Sequence, residues 1–252
     1  MRQRDGRRAF SLIELLITIG IIAVLLAILM PIISRVRGAS RTTVCLANLQ
    51  QWGAAYQLYV NANRGQTMQL ADVNHPNYLE WWESLSGYSS KRNASILCPE
   101  ATDRPAGTVK PHKYIEGSAH TAWNTYHAGG ENLGSYGLNV WIYSFPANFA
   151  VSQHPYLIHF PAKQPDRVPL LGDCIAFRSH PFSTDGVPAN LEFPVEHDTH
   201  SLGVGDFCIN RHAMAVNIVF VDGHAETVPL AGLWKLRWSE NFKPKDVTIV
   251  SP

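Results

Sequence analysis

From Phe10 to Ile33 the chain is apolar at almost every position, FSLIELLITIGIIAVLLAILMPII, and Glu14 is the single charge among those 24 residues. As a helix rising about 1.5 Å per residue, this run reaches roughly 36 Å, enough to cross a hydrocarbon core of ~30 Å. It predicts one transmembrane helix over 10–33. A removable secretory signal would carry an apolar stretch of only about 7–15 residues ending at a small-residue site. This run is longer and leads into Ile33-Ser34-Arg35-Val36-Arg37. From Ser34 the pattern changes. Leu49, Trp52, Tyr56 and Tyr59 fall at helical spacing in otherwise polar sequence, predicting an amphipathic continuation of the helix over 34–64. Asn61-Ala62-Asn63-Arg64-Gly65 supplies the stop, with Gly65 as a left-handed cap. Pro31 is expected to kink the helix locally, because it removes a hydrogen bond and crowds the preceding turn.

Beyond Gln66 no long periodic run remains, and Gly, Pro, Asn and aromatic residues are frequent. Short strands separated by turns are the expectation. The clearest is a hairpin: Ala215–Val221, then Asp222-Gly223, then His224–Val228. Asp-Gly between two β-prone runs is a strong turn signal, with Gly223 taking positive φ cheaply and Asp222 tolerating it. The fold class predicted is α+β, a long N-terminal helix packed on an antiparallel sheet in a globular domain over 65–252.

Charge changes the picture at one end only. Net charge is +1 over 252 residues, which excludes nucleic-acid binding through a bulk basic field. Residues 1–9, MRQRDGRRA, hold four arginines and one aspartate, leaving 17 basic and 19 acidic residues in the rest of the chain. A basic tip before an apolar span orients that tip to the cytoplasm and places the body outside it.

A carboxylate within a membrane helix costs about 2.5–3.5 kcal/mol or more, so Glu14 calls for a reason. One is local: Ser11-Leu12-Ile13-Glu14 fits a capping box, with Phe10 and Leu15 as a hydrophobic staple. The other is a partner. Arg8-Ala9-Phe10-Ser11-Leu12-Ile13-Glu14 resembles the prepilin-type signal of type IV pilins and type II secretion pseudopilins, and Pro31 matches a proline common in that helix. The resemblance implies a leader over 1–9, cleavage between Ala9 and Phe10 by a prepilin peptidase, and N-methylation of Phe10. It also implies that Glu14 pairs with the N-terminal amine of a neighbouring subunit. Such pairing offsets the cost of placing either charge in lipid. Ala9 departs from the family's usual glycine.

A second resemblance lies near the other end. Arg211-His212, nine residues and then Asp222-Gly223 are similar to the H-X9-DG domain of a pilin-like family. Leu97-Cys98-Pro99, Ser135–Asn139 and Trp234–Trp238 look like its further landmarks. That family's globular domain has no well-defined activity.

Four cysteines would be exported to an oxidising space, and the pairings favoured are Cys45–Cys98 and Cys174–Cys208, against four buried thiols as the alternative. The densest polar cluster is Glu196-His197-Asp198-Thr199-His200, followed by Asp206, His212, Asp222 and His224. Its spacing lacks the glutamate of a zinc-protease helix and a third ligand at fixed distance, so no metal ligand set is assigned. A nucleophile elbow is absent, and Gly203-Val204-Gly205 lacks the third glycine of a dinucleotide loop. Trp81, Trp82, Trp123, Trp141, Trp234 and Trp238 are expected in packing.

The expectation is therefore a structural subunit with no enzymatic activity and no cofactor. Its expected partners are prepilin peptidase, other copies or pilin-like subunits, an inner-membrane assembly platform and the bilayer. The leading role is in a type II secretion-type pseudopilus. The alternatives are a surface type IV pilin for adhesion or DNA uptake, and a membrane-anchored binding or metal-binding domain that does not polymerise.

Overall fold

The computed structural model describes residues 12–69, 79–89, 96–101, 103, 114–127, 130–144, 156–192 and 203–250. Helix α1 runs over Leu12–Ala62, 51 residues, and continues through Pro31 without interruption. Its residues divide between two units, 1–40 and 41–252. From Leu12 to Ile33 the helix is apolar on every side, with Glu14 as its one charge, and every one of these residues is exposed. Leu12, Ile17, Val24 and Met30 are all more than half exposed, and the stretch is long and apolar enough to cross a membrane.

In the second unit, α1 buries Cys45, Leu49, Trp52, Gly53, Ala55 and Tyr56. These fall on one face, as the sequence pattern predicts. The helix closes with a left-handed turn in which Gly65 N–H donates to the Val60 carbonyl at 2.8 Å. Arg64 (φ 57°) and Gly65 (φ 81°) are both left-handed, so the cap is a two-residue device rather than Gly65 alone.

The body is α+β. A three-stranded antiparallel sheet holds β1 (Tyr114–Ile115), β2 (Trp123–His127) and β3 (Gly130–Gly134) in that order. A five-stranded sheet contains β4 (Tyr136–Asn139), β5 (Pro169–Asp173), β6 (Arg178–Ser179), β7 (Ala215–Phe220) and β8 (Ala225–Pro229), in the order β6-β4-β5-β7-β8. All its pairings are antiparallel except β4 with β6. The short helix α2 (Trp81–Ser86) starts with a capping box in which Glu80 and Glu83 each accept from the other's backbone N–H.

Every residue of β7 is buried, because both faces of the sheet are covered. Val219 belongs to the core shared with Cys45, Leu49, Trp52 and Tyr56 of α1. Val216, Ile218 and Phe220 face a second core with Phe207, Leu233, Trp234 and Trp238. All six tryptophans expected in packing are buried. The indole N–H groups of Trp81, Trp123, Trp141, Trp234 and Trp238 donate to backbone carbonyls, so burial leaves them satisfied.

The β7–β8 hairpin forms as predicted, with one correction. Its loop is longer than Asp-Gly. Gly223 N–H donates to Phe220 O, Phe220 N–H donates to His224 O, and pairing resumes at Val219 with Ala225. Gly223 takes φ 95° while Asp222 does not, which fits a type I turn closed by a left-handed glycine rather than a two-residue turn.

Candidate functional site

Two places carry chemistry. The first is the start of α1. Glu14 stands in its first turn, where the exposed N–H groups favour a carboxylate. The side chain is exposed. Ala9, Phe10 and Ser11 lie outside the described residues. Thr18 Oγ1 donates to the Leu15 carbonyl at 2.8 Å, which satisfies its hydroxyl within the helix, as a lipid environment requires.

The second place is buried in the body, where four side chains distant in sequence converge. Cys45 comes from α1, Cys98 from the segment 96–101, Asp173 from the end of β5 and His212 from the turn before β7. One ligand atom from each lies within 4.8 Å of those from all the others. Cys45 Sγ is 3.5 and 3.6 Å from the two Asp173 oxygens. Cys98 Sγ is 3.4 Å from His212 Nε2, and His212 Nε2 is 3.1 Å from Asp173 Oδ2.

Each member is held from behind. Ser135 Oγ accepts from Cys98 N–H, and Ser135 N–H donates to the Ile96 carbonyl, tying that segment to the entrance of β4. Asp173 Oδ2 accepts the Asn217 N–H at 2.8 Å, and Tyr136 Oη donates to Cys45 Sγ at 3.3 Å. His212 Nδ1 meets Thr42 Oγ1 of α1 at 3.1 Å. Arg211 is fully buried. Its guanidinium donates to the Ala119, Ser135 and Ser118 carbonyls and pairs with Asp173 Oδ1 at 3.2 Å. The turn that presents His212 places Ala213 (φ 54°) and Met214 (φ 65°) in the left-handed region, and Asn210 Oδ1 accepts the Met214 N–H at 2.8 Å.

The electrostatics follow from that arrangement. Burial opposes charge on Asp173, but His212, Arg211 and the Asn217 N–H prevail and hold the carboxyl below its ordinary value. Burial likewise opposes charge on His212, yet Asp173 and Cys98 raise it to about 9. The two thiols separate. Burial, Cys98 and Asp173 push Cys45 well up. Cys98 is also disfavoured by burial, but hydrogen bonds from Cys45 and His212 and the charge of Arg211 bring it below its usual value.

The structure redistributes the residues singled out in the sequence. Cys45 and Cys98 do come together, but all four cysteines are free thiols. The expected Cys45–Cys98 and Cys174–Cys208 disulfides are not formed, and Cys174 and Cys208 sit in the second apolar core. Glu196 through His200 lie outside the described residues. The rest of that polar cluster disperses: Asp206 accepts from Ser179 Oγ, Asp222 and His224 pair on the exposed hairpin turn at 2.6 Å, and His212 alone joins the buried tetrad. Asp173 and Arg211 were missed as site residues. A lone carboxylate inside the apolar run Val168–Phe177 was the available signal, since a buried charge demands a partner.

Residues 4–30 match the family described as the prokaryotic N-terminal methylation motif. With the uncovered apolar helix, that match supports a type IV pilin-like, single-pass membrane protein that is a substrate of prepilin peptidase. No curated protein and no solved structure matches the chain.

Proposed function

We propose that this chain is an assembly subunit of a type II secretion-type pseudopilus, supporting export of proteins across the envelope. The supporting observation is the apolar helix of residues 12–33, exposed on all sides, most of which falls within the methylation-motif match over residues 4–30. A helix apolar all round needs lipid or other helices against it. In this reading the basic tip stays cytoplasmic until cleavage after Ala9, and the body lies outside the cytoplasm. Phe10 then carries the methylated amine, and Glu14 of one copy pairs with the Phe10 amine of the next. That pairing sets the axial register of the bundle while lipid-facing residues supply packing.

The test is cross-linking in membranes of cells that carry a prepilin peptidase and an assembly platform. Wild type should give a ladder of oligomers and Glu14→Ala should give monomer. A Glu14→Ala chain that assembles as wild type would overturn the role of Glu14. Shed surface fibres from the wild type would favour a surface pilin over a pseudopilus.

A further inference from the structure

We propose that Cys45, Cys98, Asp173 and His212 form a closed, four-ligand site for a divalent transition metal, zinc first, which fastens α1 to the sheet. The donor set is two sulfurs, one imidazole nitrogen and one carboxylate oxygen, a combination suited to zinc and poorly suited to magnesium or calcium.

The spacing fits. A tetrahedron with metal–sulfur bonds of about 2.3 Å and metal–nitrogen or metal–oxygen bonds near 2.0 Å has edges of roughly 3.3–3.8 Å. With Asp173 Oδ2 as the single carboxylate donor, the separations Cys45 Sγ–Oδ2 (3.6 Å), His212 Nε2–Oδ2 (3.1 Å) and Cys98 Sγ–His212 Nε2 (3.4 Å) lie at or near that range. All four residues are buried, so no coordination position opens to solvent, as in structural rather than catalytic zinc sites.

The surroundings have the form that supports a metal. His212 uses its other ring nitrogen on Thr42, which leaves Nε2 to the ion. Tyr136 donates to the Cys45 sulfur, and Arg211 and the Asn217 N–H hold the carboxylate. Charge also closes. On binding, the thiol protons of Cys45 and Cys98 and any proton on His212 Nε2 leave to solvent. Two thiolates, one carboxylate and a divalent ion then sum to a single negative charge, which the buried Arg211 balances.

The experiment is elemental analysis of the full chain, purified in detergent from cells grown with zinc and passed over a desalting column. The proposal expects about one zinc per chain. It also expects replacement by cobalt(II) to give thiolate-to-cobalt absorption in the near ultraviolet with tetrahedral bands in the visible. Cys98→Ser and His212→Ala should lose the metal, and Cys174→Ser should keep it. Because a ligand variant can fail to fold, wild type is also read alone: a strong chelator should lower its melting temperature and expose Cys45 and Cys98 to alkylation. A folded wild-type chain without stoichiometric metal would overturn the proposal, whether thiol titration finds a Cys45–Cys98 disulfide or free thiols. Retention of the metal in both ligand variants would overturn it equally.

Discussion

Thr42 Oγ1 and His212 Nδ1 lie 3.1 Å apart across 170 residues of chain, and the same alignment recurs further along both elements. Gln57 Nε2 donates to the Val221 carbonyl, 164 residues away. The second half of α1 and strand β7 therefore run side by side, with His212 at one end of the strand and the Asp222-Gly223 turn at the other.

Gly53 is a point of close approach in this helix–strand contact. A Cβ there would sit 2.6 Å from Val219 Cγ2 and 3.2 Å from the Gly223 carbonyl oxygen. Gly53→Ala should destabilise the body by about 1–3 kcal/mol, the usual cost of overpacking a filled core. Gly38, with nothing within 4 Å, is the control. Gly38→Ala should be neutral or gain about 0.5–1 kcal/mol of helix stability. Chemical denaturation of the two variants against wild type checks both.

Arg211 and Asp173 pair with both side chains wholly excluded from solvent. Arg211→Met would break a buried ion pair, leaving Asp173 with its His212 and Asn217 N–H partners, and would take a donor from the Ala119, Ser118 and Ser135 carbonyls, at a cost of roughly 3–5 kcal/mol. Arg211→Lys should rescue little, since one ammonium cannot reach acceptors on Ala119, Ser118, Ser135 and Asp173 together. Melting curves of the two variants should lie close to each other and well below wild type.

The helix and the hairpin were legible in the sequence because their signals are local: a period of 3.6 from Leu49 to Tyr59, and Asp-Gly between β-prone runs. The tetrad was not, since positions 45, 98, 173 and 212 share no short spacing. Only the two cysteines were associated in advance, and as a disulfide. The histidine-rich stretch drew attention through density in sequence, yet only His212 of its described members reaches the buried site. The turn before β7 gave no warning either, because Ala213 and Met214 are poor residues for the positive φ they adopt.

That turn yields its own prediction. A non-glycine residue in the left-handed region costs about 1–2 kcal/mol, partly offset by glycine's larger loss of freedom, about 0.5–1 kcal/mol. Ala213→Gly should therefore raise stability by about 0.5–1 kcal/mol. A thermal melt that moves downward would show that the Ala213 methyl group contributes packing that outweighs the strain.

Glu116 should make the body pH-sensitive. Burial, and then the neighbouring charge of Asp206, raise its carboxyl to about 7, against roughly 4.3 in an unfolded chain. Between those values the folded state binds more protons, so this contribution is complete below the unfolded value and is lost as pH rises through about 7. Glu116→Gln should flatten that slope, with its largest stabilisation at the upper end of the window. Urea melts of both proteins at about pH 5 and about pH 8 read the difference.

Intact mass reads whether the N-terminus is processed for assembly. Expressed with a prepilin peptidase, the chain should lose residues 1–9 and gain one methyl group on Phe10. Without the peptidase it should keep its full length. An uncut, unmethylated chain in the presence of an active peptidase would contradict processing for assembly.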